Sequence, residues 1–226
     1  MTHATCVTLE GVSYQLPDGN SLFSDLNLHL DQRHTGLVGR NGVGKSILAR
    51  LIAGDISPTA GRCLRTGKVS YLAQHITHAP RQTVADLAGV RPIINALERI
   101  EQGSTAQADF DAVGEQWNIH QQLLDQLAQL GLGAEQVNRP CAQLSGGERL
   151  KAAMACVFYA EQPAQLLLLD EPANHLDLAS VQALESMLNQ YPGTLVVTSH
   201  DEQFLDAIGI THRLSASPQG WLIEPI

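Results

Sequence analysis

The sequence lacks the features that would place the chain in a membrane, in a secretory route or in a disulfide-stabilised fold. Its longest apolar run, Ala152–Ala160, is much shorter than the roughly 20 residues of a membrane-spanning helix. The first residues, MTHATCVTLEG, have no basic start followed by an apolar core, so we expect no secretory signal. The four cysteines form no Cys-x-x-Cys pair, which favours reduced thiols. The sequence therefore predicts a soluble, cytoplasmic protein.

Basic residues are also few, because 14 Lys and Arg stand against 23 Asp and Glu and the net charge is −9. Such a chain is a poor candidate for wrapping nucleic acid non-specifically, since phosphate binding depends on Lys and Arg. Six basic residues nevertheless lie in one segment with only two acids, which we call the basic stretch: Arg62, Arg65, Lys68, Arg81, Arg91 and Arg99. This segment is either a solvated surface or a local contact for RNA or an acidic partner.

The residues that are present indicate a folded α/β protein. With 44% hydrophobic residues in a chain of 226, one large domain can bury a core. Strand-like runs such as Thr35–Val38 and Thr194–Thr198 alternate with helical segments, which predicts a mostly parallel sheet. Residues 83–138 have helical apolar spacing and are predicted to form a helical subdomain inserted into a single domain of residues 1–226.

A glycine-rich loop follows the strand-like run Thr35–Val38 and matches the phosphate-binding pattern GxxxxGK[ST]. In such a loop, backbone N–H groups surround phosphate oxygens, and the N-terminus of the next helix adds partial positive charge. Lys45 then reaches the β- and γ-phosphates, and the Ser46 hydroxyl is a ligand of Mg²⁺. The predicted nucleotide-binding residues of this loop are Gly39, Arg40, Asn41, Gly42, Val43, Gly44, Lys45, Ser46 and Ile47.

Two acids follow four consecutive leucines, Leu166–Leu169. Such an apolar run is typical of a strand buried on both faces. Asp170 is predicted to hold Mg²⁺ through water, and Glu171 to act as the general base for an attacking water. The two acids alone would also fit a solvated strand end, but together with the phosphate loop they indicate a site of nucleotide hydrolysis.

A second candidate anion site precedes the helix predicted over residues 147–160. A serine and two glycines stand at this helix N-terminus, where exposed N–H groups and a hydroxyl cap favour an anion. Taken alone, the segment is an N-cap with a flexible lead-in. Beside a nucleotide site, it indicates contact with the γ-phosphate of a nucleotide on another molecule. The residues of this signature segment are Ser145, Gly146, Gly147 and Glu148.

These motifs, in this order, resemble the ATP-binding cassette (ABC) family over essentially the whole chain. The resemblance implies a P-loop NTPase (RecA-like) α/β core with a mostly parallel sheet, an N-terminal antiparallel β subdomain and the inserted helical subdomain. It also implies that Gln74 senses Mg²⁺ and water as a metal ligand, that His200 contacts the γ-phosphate and that Asp177 lies at a dimer seam. Two cassettes are implied to close head to tail on ATP and Mg²⁺, with each nucleotide between one phosphate loop and the other cassette's signature segment.

The segments DEPANHLD at residues 170–177 and SHDEQFLD at residues 199–206 resemble the soluble translation-factor branch of the family, ABC-F. Three residues depart from the usual pattern. Ala173 replaces a threonine, and Ile47 replaces a second hydroxyl in the phosphate loop. Leu16 stands where the family usually has an aromatic residue that stacks on adenine, which implies apolar contact with the base and loose selectivity for ATP over GTP. Tyr14, two residues earlier, is predicted to pack in the core.

The resemblance leaves three functions open. The first is an ABC-F-type ATPase that acts on the ribosome, with the basic stretch as the candidate surface for rRNA. The second is the nucleotide-binding subunit of an ABC membrane transporter, which would have a membrane partner subunit. The third is a nucleotide-gated binding module with little turnover. Because ABC-F chains normally carry two cassettes, this single cassette is interpreted as an excised domain or as half of a gene product. His75 and His78 lack a third ligand and are interpreted as surface histidines.

Overall fold

The computed structural model describes residues 6–31, 33–40, 42–73, 81–159, 165–174, 176–217 and 220–226. The strands are β1 (Val7–Gln15), β2 (Ser21–Leu30), β3 (His34–Val38), β4 (Ala60–Arg65), β5 (Val69–Leu72), β6 (Leu166–Asp170), β7 (Thr194–Thr198), β8 (His212–Ser217) and β9 (Gly220–Pro225). The helices are α1 (Lys45–Ala53), α2 (Val84–Leu87), α3 (Arg91–Glu101), α4 (Gln107–Val113), α5 (Ile119–Gln129), α6 (Gly146–Tyr159), α7 (Leu178–Asn189) and α8 (Glu202–Ala207).

The chain divides into two compact units. The sheet unit comprises residues 1–74, 164–174 and 185–226, and the helical unit comprises residues 75–163 and 175–184. The predicted boundaries of a single domain over residues 1–226, with an insertion at 83–138, stay predictions.

The sheet unit contains two sheets. A three-stranded antiparallel sheet has the order β2-β1-β4, and a six-stranded sheet has the order β5-β6-β7-β3-β8-β9. In the larger sheet all neighbours are parallel except β8 and β9, which form an antiparallel pair. The predicted fold class, a P-loop α/β core with an antiparallel β subdomain near the N-terminus, is confirmed. Because carboxyl ends of parallel strands meet at one edge, β3, β6 and β7 deliver their following loops to the same place.

The apolar pattern of the sequence explains the core of the sheet unit. All five residues of β6 and of β7 are buried, as expected for central parallel strands covered on both faces. In β2 the buried Leu26, Leu28 and Leu30 alternate with exposed polar residues, which is the pattern of a strand with one solvent-exposed face. Tyr14 is partly buried against this core, as predicted.

The helical unit is organised by short helices with local sequence signals. Thr83 and Asp86 form a reciprocal capping box at the start of α2, and Pro92 lies in the first turn of α3. The apolar stripe of α5 is buried through Ile119, Leu123 and Leu127, and α5 packs against α6.

Several elements differ from the prediction. The helix expected from Thr83 through Val90 is only the single turn of α2, and Gly89 follows it at a φ of 74°. The sequence analysis did not predict β4, α4, β8 or β9. β4 is mostly exposed and its burial pattern has no alternation, so the periodicity that identifies a strand is missing there. In β9 the apolar residues Trp221–Ile223 are consecutive in the sequence rather than alternating with polar ones.

Candidate functional site

The phosphate loop connects β3 to α1 in the sheet unit. Gly39, Gly42 and Gly44 have φ angles of 150°, 86° and 96°, which are backbone conformations that glycine adopts without steric strain. At Gly44 an added Cβ would lie 2.6 Å from Cδ2 of Leu22. The loop therefore requires glycine at this position both for its dihedral angles and for its packing.

Lys45 is held inside this loop. Its side chain is almost fully buried, with the residue 7% exposed. The ammonium Nζ donates to the carbonyl oxygen of Gly39 at 2.6 Å and to that of Arg40 at 3.3 Å. It also lies 3.3 Å from Nε2 of His200. A buried positive charge thus stands between the phosphate loop and the loop that follows β7.

Asp170 and Glu171 end β6 on the same edge of the sheet. Asp170 is 5% exposed, and its Oδ2 accepts a hydrogen bond from the Tyr71 hydroxyl at 3.3 Å. The Glu171 backbone has a φ of 52°, a left-handed conformation that costs strain in a non-glycine residue and recurs at functional sites. Its N–H donates to the carbonyl of Thr198 at 2.9 Å, which fixes the turn.

The Glu171 side chain faces the two basic groups of the site. Its Oε1 lies 3.3 Å from Nε2 of His200, and its side chain is 12% exposed. Burial raises the pKa of the Glu171 carboxyl above its ordinary value, and the neighbouring His200 and Lys45 oppose this increase. A raised pKa makes the ionised carboxylate a stronger proton acceptor, which suits a general base.

These groups surround one cavity of about 780 Å³, a size that accommodates a small-molecule ligand. The predicted site residues among those that line it are Leu16, Gly42, Gly44, Lys45, Ser46, Ile47, Asp170, Glu171 and His200. The sequence analysis missed other lining residues, namely Leu22, Ala173, Asn174, Thr198, Ser199 and Asp201, as site residues. Four of them lie within the segments at residues 170–177 and 199–206, and Thr198 directly precedes the second segment. Leu22 on β2 has no local signal.

The donor set fits Mg²⁺. Ser46 and Asp170 line the same cavity and offer a hydroxyl and a carboxylate, the oxygen ligands that Mg²⁺ takes together with water and phosphate. Asp170 is a buried carboxylate, and such a group is stable only when it is paired, hydrogen-bonded or bound to a metal.

The signature segment lines a second cavity, of about 350 Å³, in the helical unit. Ser145 caps α6, because its Oγ accepts from the Glu148 N–H at 3.2 Å and its own N–H donates to Oε2 of Glu148 at 2.8 Å. This hydrogen bond lowers the pKa of Glu148. Gly146, Gly147, Lys151 and Asp177 also line the cavity.

Asp177 is fixed in the same cavity by a serine on α7. Its Oδ1 accepts from the Ser180 N–H at 2.8 Å and from the Ser180 hydroxyl at 2.6 Å. These bonds lower the pKa of Asp177, so it is a carboxylate at neutral pH.

Some predicted residues are not assigned to either cavity. Asn41, Gln74, His75, His78 and His175 lie outside the described residues. Gly39 and Arg40 act on the first cavity through the carbonyl groups that hold Lys45. Val43 lines a different cavity, beside Phe23 and Trp221.

The glycine loop, the buried lysine and the acids at the end of β6 agree with a comparison to known proteins. The profile of the ABC transporter family matches residues 23–174. The chain belongs to this family. Members of the ABC family bind ATP with Mg²⁺ and hydrolyse it, and their cassettes dimerise.

Curated relatives of the cassette agree with the predicted branch. It is 32% identical to the ABC transporter ATP-binding protein YfmR of Bacillus subtilis over 92% of this chain and 36% of the relative. It is 34% identical to the tylosin resistance ATP-binding protein TlrC of Streptomyces fradiae, over 91% and 41%. It is 35% identical to the energy-dependent translational throttle protein EttA of Escherichia coli, over 84% and 35%. The predicted resemblance to an ABC-F cassette is confirmed, and the chain spans about two fifths or less of these relatives.

Solved structures support the fold. A dimeric ATP-binding cassette in a post-hydrolysis state with ADP and Pi matches the cassette with a TM-score of 0.70 at 20% identity, over 97% of this chain and 98% of that one. An ATP-binding subunit of an ABC transporter matches with a TM-score of 0.71 at 18% identity, over 93% and 85%. Within the part of the chain that the structure describes, no helix combines the length and hydropathy needed to cross a bilayer.

Proposed function

We propose that the cassette binds Mg·ATP in the cavity of the sheet unit and hydrolyses it. The observation that carries this proposal is the convergence of Lys45, Glu171 and His200, with His200 Nε2 lying 3.3 Å from both the ammonium and the carboxylate. A buried cation for phosphate, a base with a raised pKa and a third polar group are thus present at one point. These are the parts that phosphoryl transfer to water requires.

Each residue has a role that follows from its chemistry. Lys45 neutralises the β- and γ-phosphates, and its release from the Gly39 carbonyl accompanies binding. Glu171 accepts the proton of the attacking water, and His200 orients the γ-phosphate. Ser46, Asp170 and Gln74 are the proposed holders of Mg²⁺, which would supply positive charge against the negative charge that develops on the phosphate. Leu16 gives the base apolar contact, so ATP and GTP are weakly distinguished, and Ile47 takes the place of a hydroxyl that would contact phosphate.

We further propose that a second cassette completes the site. Ser145, Gly146 and Gly147 stand at the N-terminus of α6, where backbone N–H groups favour a phosphate. The partner is a tandem cassette or a second copy of this chain, with Asp177 at the seam. The dimeric cassette among the similar structures supports this arrangement.

Hydrolysis is tested with two variants and a control. Glu171→Gln keeps the shape of the side chain but accepts no proton, so ATP binding should persist while the rate falls by about 10²–10⁴. Lys45→Ala should lose ATP binding. The exposed Glu224 on β9 offers the control Glu224→Gln, which should match the wild type in both assays. Full turnover in Glu171→Gln, after removal of contaminating ATPase, would assign the base to another residue.

The proposed place of action is the ribosome in the cytoplasm. Support comes from the relative named as a translational throttle protein and from the Asn174-His175 pair of the sequence. Four of the six basic residues of the basic stretch already pair with other groups of the protein, so fewer positive charges remain to bind rRNA. Arg62 pairs with Glu10 and Arg65 donates to backbone carbonyls at the end of α1. Arg91 and Arg99 bind side chains within the helical unit. The exposed Lys68 and Arg81 therefore stand out as the candidates for rRNA.

Co-sedimentation tests this role. Protein expressed from its native reading frame with Glu171→Gln should pellet with ribosomes in ATP and leave them in ADP, with binding that weakens as salt rises. Lys68→Ala and Arg81→Ala, each made alone, should reduce the salt dependence, whereas Arg33→Ala is the charge-matched control outside the basic stretch. If the protein shows no nucleotide-dependent binding to ribosomes and co-purifies with an integral membrane protein, the transporter subunit is favoured instead.

A further inference from the structure

Asp170, the proposed metal ligand, is almost fully buried and has few hydrogen-bond partners among the described residues. Asp170 is 5% exposed, and in the described part of the chain the Tyr71 hydroxyl is the only hydrogen-bond donor to its carboxylate, at 3.3 Å from Oδ2. Buried carboxylates depend strongly on such partners, because they have lost their water. Among the described residues, no side chain or backbone group donates to Oδ1. The orientation of the carboxylate in the cavity therefore depends on Tyr71.

The position of Tyr71 is fixed by the sheet rather than by the local sequence. β5 pairs with β6 in parallel, with Tyr71 opposite Leu168, so the tyrosine stands two residues before Asp170 along the neighbouring strand. Its ring packs partly buried against the core of the sheet unit.

We propose that Tyr71 is a positioning residue for the metal site, holding the Asp170 carboxylate in the orientation that receives Mg²⁺. This proposal rests on the proposed function of Asp170. Outer partners of metal ligands typically orient them, and their removal weakens metal binding. Asp170 lines the cavity and Tyr71 is not among its lining residues, so we expect the effect of the hydroxyl to pass through Asp170.

The test measures the metal dependence of nucleotide binding. A fluorescent ATP analogue is titrated onto the whole chain in EDTA and then at increasing Mg²⁺, for wild type, Tyr71→Phe and Tyr191→Phe. Tyr71→Phe keeps the ring in the core, and Tyr191→Phe removes a hydroxyl from another buried tyrosine of the sheet unit. We expect Tyr71→Phe to bind as wild type in EDTA and to need about tenfold more Mg²⁺ for the half-maximal increase in affinity, at the lower end of the effects of such partners. Tyr191→Phe should follow the wild type.

A double-mutant cycle shows whether Tyr71 acts through Asp170. In an Asp170→Asn background, Tyr71→Phe should cause no further shift of the Mg²⁺ curve, because the oriented carboxylate is already absent. Saturating Mg²⁺ should restore single-turnover hydrolysis to Tyr71→Phe but not to Asp170→Asn. A Mg²⁺ curve of Tyr71→Phe identical to that of the wild type would overturn the proposal, as would an equal shift in both backgrounds. If the wild type itself shows no effect of Mg²⁺ on affinity, the proposed function of the cavity fails instead.

Discussion

At the scale of single residues, burial of Glu171 favours the proposed chemistry and opposes folding. Its carboxyl is held in a left-handed backbone turn beside His200, with a pKa raised mainly by burial. A group of this kind binds its proton more tightly in the folded chain than in the unfolded chain. Active sites often retain such unfavourable environments because the reaction needs them.

The difference in stability between Glu171→Gln and the wild type should therefore depend on pH in a defined direction. Between the ordinary and the raised pKa the folded chain holds more protons, so the free energy of unfolding falls as pH rises through this range. Glu171→Gln has no carboxyl to titrate at this position, so its free energy of unfolding does not fall for this reason as pH rises. In protein free of metal and nucleotide, we expect its melting temperature to match the wild type near pH 4, close to the ordinary glutamate pKa of about 4.3, and to exceed it at pH 8. Calorimetry with Glu224→Gln as control checks this; an equal shift at both pH values would contradict it.

The glycines of the phosphate loop differ in what they tolerate. Gly42 and Gly44 both have positive φ, but an added Cβ meets nothing within 4 Å at Gly42 and lies 2.6 Å from Leu22 at Gly44. Alanine at either position carries strain of about 1–3 kcal/mol. We expect Gly44→Ala to weaken ATP binding more than Gly42→Ala, and Leu22→Ala to recover part of the loss in the double variant. Binding titrations measure this order. Equal effects at both glycines would show that the dihedral angle alone matters.

At the scale of elements, α2 is a single turn that depends on its cap. The Thr83 hydroxyl accepts from the Asp86 N–H, and the Thr83 N–H donates to Oδ2 of Asp86 at 2.8 Å. We expect Thr83→Ala to lower the free energy of unfolding by about 1 kcal/mol. Urea unfolding measures the loss, and Thr105→Ala at an exposed loop position is the control. A variant as stable as this control would show that packing alone holds α2.

The elements that the sequence predicts are those with a strong local pattern. Four leucines identify β6, and helical spacing identifies α5, because both signals arise from burial within one segment. The edge strand β4 is mostly exposed, so no such pattern exists in it, and in the edge strand β9 three consecutive apolar residues hide the alternation. Their place in the sheets depends on pairing with distant strands, which local sequence does not encode.

In the candidate site, too, the sequence predicts the residues of local motifs but not the contacts between distant segments. Lys45, Asp170, Glu171 and His200 belong to contiguous motifs, and the structure brings all four to one cavity, although their roles stay predictions. The contact between Tyr71 and Asp170 spans 99 residues and exists only because β5 and β6 share a register. Register between distant strands is a property of the folded sheet, so sequence reading could not find this contact.

At the scale of the whole molecule, the two candidate anion sites belong to different units. The phosphate loop, with Lys45 and Glu171, is in the sheet unit, and the signature segment is in the helical unit. Cassettes of this family dimerise, and the chain spans about two fifths or less of its curated relatives. Both facts are consistent with a site whose two parts come from two cassettes.

Mixing two inactive variants tests this proposal directly. Glu171→Gln removes the base but keeps the signature segment. Ser145→Asp keeps a good N-cap residue but places a negative charge where the γ-phosphate would approach. If each site combines one chain's phosphate loop with the other chain's signature segment, a mixed dimer holds one intact site. Random pairing before ATP is added should restore roughly one quarter of the wild-type rate, since half of the dimers are mixed and each has one working site of two.

The matched control places both defects in the same half of the site. A mixture of Glu171→Gln with Lys45→Ala should stay inactive, because every phosphate loop in its mixed dimers is defective whichever signature segment it meets. Recovery in the first mixture and none in the second requires that the two parts come from different chains. Equal inactivity in both mixtures, with dimers demonstrated by light scattering, would mean that the phosphate loop and the signature segment of one chain serve the same nucleotide. The rate of hydrolysis per chain would then also be independent of protein concentration, whereas a site shared between chains makes it rise with concentration.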